Sequence, residues 1–462
     1  MLLPPDPREW LPKDHLAWLV IDVVDQLDLK RLEAKYRLGA AGRQAYDPAM
    51  LTALLIYAYC CGVRSSRAIE RACRSDVAFM VICGQQHPDH VTIARFRSGS
   101  EDEIADLFGQ VLAICGKAGM GKVGVVSIDG TKIAANASKR RSYRLGTLEK
   151  MAADIVAEAG DVDAAEDAEH GPDNSGDDLP PTLRPGADRG QRIRQALASA
   201  KAEQADRVAA DVAAAAKKAD AAHRSMRKAR ARAQKIHDKA ATVRRDRRPI
   251  EEHQEVRDAA ARIAVVDAEL AAAQAGNGRR ASQPQPRRNI TDPDSRLMAT
   301  RGDGYLQGYN SQLAVSDDHL IIGYDVTAYT TDQASYQPMV DHTTHNINTR
   351  LPGRLLGTML FDAGYCSHAN LTAPGPDRLI ATGRDPAKPS HNTAIQQMAY
   401  RLEDGTLERL LYQRRQATVE PVNSHLKDRI GLRQYARRGL QAVRAELGLA
   451  AIAHNIRRLA TT

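Results

Sequence analysis

The sequence lacks several features that mark common classes of protein. None of its six cysteines forms a C-x-x-C pair and most lie in apolar stretches, so we expect reduced thiols and no disulfide framework. The apolar run at 53–61 is too short to cross a bilayer. No G-x-S-x-G and no glycine-rich loop ending in Lys-Ser or Lys-Thr is present. We therefore expect a cytoplasmic protein with no membrane or nucleotide partner.

What the sequence does have is an excess of positive charge. The chain has 462 residues, is 43% hydrophobic and carries a formal net charge of +8, with a pI of about 9.1. This length suits more than one folded domain. The charge favours a polyanionic partner, first of all nucleic acid, because Lys and Arg gain affinity by releasing counterions from phosphates. Basic balance alone fits a soluble basic protein or a membrane-surface binder equally well.

Apolar residues recur at helical spacing from about residue 14 to 116, which predicts a helical N-terminal domain. One helix is expected to start at Ser65, with Glu70 near the positive end of its dipole, and another near Thr92. Such a pair resembles a helix-turn-helix, in which Arg95 and Arg97 would contact DNA. An amphipathic helix pair whose arginines are merely solvated explains the pattern equally well.

The middle of the chain predicts a sheet interrupted by an insertion. A β-branched run ends at Asp129, as a buried strand would. Residues 147–185 are acidic and rich in Gly and Pro, which predicts a disordered or loosely ordered segment. Residues 191–275 are rich in Ala and charged residues and broken by Pro249, which predicts a hairpin of two long helices. We expect a solvated insertion or coiled coil, with direct DNA contact as the alternative. Residues 283–288 are expected to form a linker.

The C-terminal part predicts strands and helices in alternation. The stretch 309–329 alternates apolar and polar residues around Asp-Asp, as in a two-stranded hairpin, and a helix is expected from Ser335. One further strand is expected to end at Asp362, and the segment RLIATGR is expected to form the next strand. The whole predicts a mixed α/β domain.

Acidic residues at the ends of two of these strands are candidates for catalysis. Phosphodiester transfer uses two hard cations about 4 Å apart, and such cations take carboxylate oxygens. Asp129 and Asp362 each follow an apolar run, so each would be held at the rim of a sheet. Glycine follows both closely, and a tight turn without chemistry is the alternative for each.

Glu420 is the third candidate. Thr418 is expected to cap a helix whose first turn holds Pro421, so Glu420 and Lys427 would lie two turns apart on one face. The surrounding arginines, opposed only by Asp428, suit bidentate phosphate contacts, although a solvated basic helix is the alternative. These arginines are Arg414, Arg415, Arg429, Arg433, Arg437 and Arg438.

These residues together resemble the DDE transposases of bacterial insertion sequences, whose catalytic domain is RNase H-like. In that family one Asp leaves the first strand, as in SIDGTKI, a second leaves the fourth, as in LFDAGY, and a Glu opens a late helix. Tyr412, Arg415, Glu420 and Lys427 fit the family's Tyr-x2-Arg, Glu-x6-Lys signature. The stretches GVRSSRAIERAC and HPDHVTIARFR resemble its helical DNA-binding domain.

The sequence departs from the family pattern in three places. Four residues separate Arg415 from Glu420, where many relatives have three, and the position with three-residue spacing is Gln416. The long insertion has no explanation in the resemblance. The only tryptophans, Trp10 and Trp18, are far in sequence from the catalytic candidates, so a flipped base held by tryptophan has no support.

The resemblance implies Mg²⁺, with Mn²⁺ as an alternative, bound by Asp129, Asp362 and Glu420. It implies double-stranded DNA as partner, both terminal inverted repeats and target, a homodimer in the DNA complex, and a bacterial cytoplasmic enzyme that joins the nucleoid when bound. The expected fold is an RNase H-like mixed sheet flanked by helices, interrupted by a helical insertion and preceded by an all-α domain. Expected DNA or phosphate contacts are Tyr412, Arg415, Lys427, Arg433, Arg437, Arg438, Arg95 and Arg97. The expected parts are a helical DNA-binding domain (1–116), the first part of the catalytic domain (117–146), the acidic segment with the hairpin (147–290) and the remaining catalytic domain with basic C-terminal helices (291–462).

Other interpretations stay open. Cys73, Cys83, His87 and His90 are candidate zinc ligands, but their spacing matches no common finger. A nuclease on the same fold that cleaves without strand transfer would have the same residues. A non-catalytic DNA-binding relic of a transposase would be expected to lack one of the three carboxylates, and all three are present.

Overall fold

The computed structural model describes residues 6, 9–35, 45–155, 187–242, 248–300, 304–383 and 392–461. The chain divides into two compact units. Unit 1 comprises Met1–Lys139 and Asp294–Thr462, and unit 2 comprises Arg140–Pro293. None of the described helices is both long and apolar enough to span a bilayer.

Unit 1 begins with helices, so the predicted helical N-terminal region is confirmed. They are α1 (Leu16–Val24), α2 (Lys30–Glu33), α3 (Pro48–Cys60), α4 (Ser66–Ser75), α5 (Val77–Ile82), α6 (His90–Gly99) and α7 (Glu101–Lys117). Helix α3 is buried on nearly every side, because its apolar residues cover the full circumference. Asp47 caps it by accepting a hydrogen bond from the Ala49 amide at 2.9 Å.

The predicted pair of helices corresponds to α4 and α6. Helix α4 follows directly on Ser65, and Asp89 caps α6 by accepting from the Thr92 amide at 2.6 Å. Glu70 was predicted to lie near the positive end of α4, but it falls after the first turn of that helix. Its Oε2 accepts from the His90 backbone amide at 3.1 Å and lies 2.7 Å from His90 Nδ1, which holds Glu70 at the positive end of α6 instead.

The remaining elements follow in chain order. The strands are β1 (Val125–Ala134), β2 (Ser142–Arg144), β3 (Arg287–Asn289), β4 (Arg296–Ala299), β5 (Tyr305–Ser316), β6 (Ile321–Thr327), β7 (Thr358–Phe361) and β8 (Arg378–Ile380). The helices are α8 (145–155), α9 (Ala187–Thr242), α10 (Gln254–Gln274), α11 (Tyr336–Arg350), α12 (His368–Thr372), α13 (Thr393–Arg401), α14 (Leu407–Ser424) and α15 (Leu440–Leu459).

The sheet of unit 1 is mixed, in the order β4-β5-β1-β7-β8, with β6 also paired to β5. Strand β1 runs antiparallel to β5 and parallel to β7. The predicted β5–β6 hairpin, the strand ending before Asp362, the strand at RLIATGR and the helix after Ser335 are all confirmed. The chain thus has a mixed α/β fold with a helical N-terminal region and a long helical insertion, consistent with an RNase H-like fold.

Unit 2 holds the insertion. Helices α9 and α10 pair as the predicted hairpin, and they run antiparallel, since Lys218 pairs with Glu269 while the later Arg232 pairs with Glu255. The short strands β2 and β3 pair antiparallel beside them.

Two expectations for the insertion were wrong in part. The segment predicted to be loosely ordered begins with a helix, α8, in which Leu148 is fully buried with Ile193 and Ala196, because these apolar side chains have each other to pack against. Residues 156–186 of that segment lie outside the described residues. The predicted linker ends in β3, where Arg288 is buried and its Nη2 lies 2.7 Å from Glu203 Oε2.

Candidate active site

Asp129 and Asp362 lie side by side on parallel strands. The pairing of β1 with β7 ends at Ile128 opposite Phe361; Asp129 is the next residue of β1, and Asp362 directly follows the end of β7. Both side chains are half-buried. In chain order among the strands of this sheet, and leaving out β4, β1 is the first strand and β7 the fourth, so the two positions correspond to the first and fourth strands named in the resemblance.

The prediction that the strand ends at Asp129 was wrong. Strand β1 continues to Ala134, because β5 on its other side goes on supplying antiparallel partners, with Asp129 opposite Leu313 and Ala134 opposite Gly308. The alternative of a tight Asp-Gly turn therefore fails at Asp129. At Asp362 a turn is present, since Oδ1 accepts from the Gly364 amide at 2.9 Å and caps a short 3₁₀ turn.

Helix α14 supplies the groups that contact Asp129. Arg415 Nη1 lies 3.4 Å from Oδ1, and Asn423 Nδ2 donates to Oδ2 at 3.2 Å. Both reach the sheet because Val419 and Val422, between them on the same face, are fully buried. The helix thus packs through its apolar face and presents a cation and an amide to the carboxylate.

A fourth acidic residue, Asp332, belongs to this site and was missed by the sequence analysis. Its Oδ1 accepts from Asn310 Nδ2 at 2.7 Å and from Gln312 Nε2 at 2.8 Å, two amides that alternate along β5. Gln312 in turn accepts from the Tyr365 hydroxyl through Oε1. The signal for this network was the pair of polar residues in the centre of a strand that is buried on both faces.

The two glycines after the aspartates make room for Asp332. A methyl group at Gly130 would collide with Asp332 Oδ1 and come within 2.6 Å of Gln312 Nε2. A methyl group at Gly364 would come within 2.9 Å of Asp332 Oδ2 and 3.0 Å of Asp362 Oδ1. Asp332 therefore approaches the backbone beside both predicted catalytic aspartates.

Negative charge is concentrated around Tyr365. Burial raises the pKa of its hydroxyl well above the usual range, and the charges of Asp332, Asp129 and Asp362 raise it further. These three carboxylates thus act on one buried phenol, in the 3₁₀ turn that follows β7. Carboxylate oxygens are the ligands that Mg²⁺ and Mn²⁺ prefer.

Glu420 lies on α14 but points to the surface. Its side chain is exposed, one turn before Asn423. Within the described residues, no group of three or more His, Cys, Asp or Glu side chains is arranged to hold a metal ion. The structure therefore brings Asp129 and Asp362 together with Asp332 and leaves Glu420 on the exposed side of the helix that holds Asp129.

The helix around Glu420 starts earlier than predicted. Thr406, not Thr418, caps α14, accepting from the Arg409 amide at 3.1 Å. Pro421 falls inside the helix, where it has no N–H for the carbonyl of Ala417. His319 Nε2 donates to that carbonyl at 3.0 Å instead, so a side chain from the β5–β6 turn replaces the missing helical bond.

Three of the predicted phosphate contacts lie close to the aspartates. Arg415 forms an ion pair with Asp129, and Lys427 Nζ donates to Thr131 Oγ1, two residues further along β1. The Tyr412 hydroxyl donates at 3.0 Å to the carbonyl of Phe361, the residue before Asp362, and burial raises its pKa.

The other predicted DNA contacts lie further away. Arg433 pairs with Asp428, Arg437 pairs with Glu101, and Arg438 Nε donates to the Asn136 carbonyl at 2.9 Å. Arg414 pairs with Asp317, so Asp428 is not the sole acid opposing this basic surface.

In the N-terminal helices, Arg95 is exposed on α6. Arg97 instead faces the protein, where its Nη1 donates to the Arg64 carbonyl at 2.7 Å. The zinc alternative gains no support from this region: Cys73 and Cys83 are buried with their sulfurs 3.4 Å apart, and His90 contacts Glu70.

Comparison with known proteins adds two matches. Residues 5–99 match the family model described as Transposase domain (DUF772), and residues 382–460 match the model described as Transposase DDE domain. The second range includes Tyr412, Arg415, Glu420 and Lys427, while Asp129 and Asp362 lie outside both. No similar protein was found among curated proteins or solved structures. With a transposase-domain match near each end, the chain is consistent with a DDE transposase of an insertion sequence.

Proposed function

We propose that this chain cleaves the ends of an insertion sequence and joins them to target DNA in a metal-dependent reaction, with Asp129, Asp362 and Glu420 as the catalytic residues. The observation that supports this most is the emergence of Asp129 and Asp362 from neighbouring parallel strands beneath α14, the helix that carries Glu420. A rigid sheet holds the first two carboxylates with little freedom, as catalysis requires.

A divalent cation fits the donor chemistry of this centre. Three aspartates crowd their negative charge around Tyr365, and such repulsion is relieved by a bound cation. Asp129 and Asp362 would hold the metal at the sheet, and Glu420 would join them once its exposed side chain turns toward them. When bound, Mg²⁺ or Mn²⁺ would activate the attacking oxygen and stabilise the leaving oxygen.

The surrounding residues keep the carboxylates in place and receive phosphate. Arg415 and Asn423 orient Asp129 from α14. Lys427, on the same side of β1 at Thr131, supplies a positive charge two residues from Asp129. A scissile phosphate over β1 would therefore meet Arg415 and Lys427 on one side and the aspartates on the other.

Asp332 acts as a positioning residue in this proposal. Two amides from β5 fix its Oδ1, so its Oδ2 is directed to Gly364 and Asp362. It adds a fixed negative charge next to Asp362, which favours a cation there over an empty site.

The proposed partners are duplex DNA and a second copy of the chain. The terminal inverted repeats and the target are both substrates of the joining reaction. Two element ends must be held together during joining, so we expect a homodimer in the DNA complex.

An assay of cleavage and strand transfer tests the proposal. Duplex DNA carrying the element's terminal repeats is incubated with the full chain and Mg²⁺, with or without EDTA, and with Glu420→Gln. Glu408→Gln, which alters a partly exposed carboxylate in the first turn of the same helix, is the matched control.

We expect joined products that disappear with EDTA and with Glu420→Gln but persist with Glu408→Gln. Nicked DNA without joined products would assign the chain to nucleases instead. Binding without either product would mark it as a non-catalytic relic.

A further inference from the structure

Most of the excess positive charge lies in one part of α9. Residues 217–239 contain nine Lys and Arg but only two Asp and no Glu, a net of +7 when the whole chain has +8. The histidines at 223 and 237 add to this when protonated. A short stretch of the hairpin in unit 2 therefore accounts for nearly all of the net charge.

One face of this stretch is neutralised by α10. Lys218 Nζ lies 2.7 Å from Glu269, His223 Nε2 lies 3.7 Å from Asp267, and Arg232 Nη1 lies 3.6 Å from Glu255. The same side is packed through small apolar residues, with Ala229 and Ala233 buried against Val256 and Ala259. This face serves the hairpin itself.

A second face is basic and has no acidic partner. Lys217, Arg224, Lys228 and Lys235 are separated by seven, four and seven residues, which aligns them along one side of a helix. All four are exposed, and none forms an ion pair with any other described residue. We call these four residues the basic stripe. Its first and last residues, Lys217 and Lys235, are 18 positions apart, or about 27 Å at 1.5 Å per residue.

The acids nearest the basic stripe do not cancel it. Asp238 accepts from Gln234 Nε2 at 2.7 Å and lies 3.8 Å from His237 Nδ1. Asp220 is the other acid in the stretch, and it forms no ion pair with a described residue. An exposed cation that forms no ion pair contributes little to holding the hairpin together, so the concentration of positive charge along this face needs another explanation.

We propose that the basic stripe binds the phosphate backbone of duplex DNA, as a contact surface separate from the carboxylate centre. This inference rests on the proposed function, which makes DNA the substrate. Spaced Lys and Arg on a rigid helix gain affinity by releasing counterions, with little dependence on base sequence. A protein partner is less suited, because the stripe has no aromatic or large apolar residue to act as an anchor. A membrane surface is also less suited, since the apolar face of α9 is made of alanines already packed on α10.

The experiment compares two triple variants of the full chain that remove the same charge. The first is Arg224→Gln, Lys228→Gln and Lys235→Gln. The matched control is Arg257→Gln, Arg262→Gln and Arg279→Gln, three exposed arginines of the same unit outside the stripe. Glutamine preserves helix propensity, and circular dichroism verifies that both variants keep their helices. The probe is a fluorescent 30-base-pair duplex of unrelated sequence, titrated at several salt concentrations.

For the stripe variant we expect the slope of log Kd against log salt to fall by about 2 to 3, because each phosphate contact contributes roughly 0.9 to that slope. We also expect Kd at 0.1 M salt to rise at least about tenfold. The control variant should change both values much less. Equal slopes in the two variants would overturn the proposal. So would unchanged DNA binding accompanied by lost binding to anionic phospholipid vesicles, which would assign the stripe to a membrane.

The outcome is distinguishable from failure of the proposed function. If the wild-type chain neither cleaves nor joins DNA, the catalytic proposal fails while a difference between the two variants still assigns the stripe to DNA. If the variants bind alike while the wild type cleaves and joins DNA, only the stripe proposal fails.

Discussion

The carboxylate centre of unit 1 and the hairpin of unit 2 use polar side chains in opposite ways. In the centre, Asp129 and Asp332 are each held by two side chains from other elements, at 2.7–3.4 Å. On the hairpin, the basic stripe has no partner among the described residues. Held groups suit a reaction that needs fixed geometry, whereas unpaired exposed charges suit salt-dependent association with a polyanion. Substitutions in the first region should change rates, and those in the second should change binding.

The strongest test of this contrast is Asp362→Asn. Removing one charge without changing shape should lower cleavage by at least about a thousandfold, as loss of a catalytic group does, while leaving DNA affinity within about twofold of wild type. Single-turnover cleavage and equilibrium binding measure the two. Normal cleavage by this variant would show that the site assignment is wrong.

Asp332→Asn tests whether Asp332 raises the cleavage rate by favouring metal binding at the neighbouring Asp362. We expect a fall in cleavage of roughly 10- to 100-fold and a higher Mg²⁺ concentration for half-maximal rate, as is usual for groups next to metal ligands. Asp341→Asn, on the exposed side of α11, is the control. A fall in rate with an unchanged Mg²⁺ requirement would contradict the positioning role.

Lys427→Ala examines a residue that shares features of both regions, because this lysine donates to Thr131 beside Asp129 and also brings a positive charge to the proposed phosphate site. DNA binding should weaken several-fold, and the slope of log Kd against log salt should fall by about 1. Lys122→Ala, an exposed lysine before β1, should leave both unchanged. An unchanged slope for Lys427→Ala would remove it from the DNA contacts.

The effect of pH is expected on the stability of the frame that holds α14, rather than on cleavage or DNA binding. Burial lowers the pKa of His454 from 6.5 to about 3, with the charges of His425 and Arg458 lowering it further. Between these values the unfolded chain binds a proton at this position and the folded chain does not. Unfolding is therefore favoured as pH falls below 6.5, by up to about 1.4 kcal/mol per pH unit.

Urea unfolding of unit 1 followed between pH 7 and pH 4 measures this dependence. His454→Gln keeps a donor for the His319 carbonyl, which His454 Nε2 contacts at 2.8 Å, but does not titrate. Its stability should depend less on pH than that of the wild type. The exposed His345→Gln should not differ from wild type, and equal pH dependence in all three proteins would exclude His454 as the cause.

The sequence predicted those parts of the molecule whose pattern is local. Apolar runs in the sequence predict β1 and β7. The residues after these runs, Asp129 and Asp362, lie close together because the two strands pair in parallel. The composition of the insertion predicts its hairpin. Such features need only neighbours in the chain to be recognised.

Features that depend on distant partners were missed or misplaced. Asp332 belongs to the site only because Asn310 and Gln312, some twenty residues earlier, turn their amides toward it. Thr418 has the sequence of a helix cap, yet α14 passes through it, since Val419 and Val422 gain burial by extending the helix over the sheet. Tertiary packing overrides a local capping signal in such cases. The four-part division by residue number stays a prediction.

The proline in α14 gives this helix an unusual attachment. In a regular helix the carbonyl of Ala417 would accept from the amide of residue 421, but Pro421 has no N–H. His319 donates to this carbonyl instead and so joins the helix to the β5–β6 turn. A residue with an amide at 421 would compete with His319 for that oxygen, so a straighter and intrinsically stronger helix would be more loosely joined to the sheet. Glu420, the residue immediately before the proline, would then gain a freedom of movement that the native chain denies it.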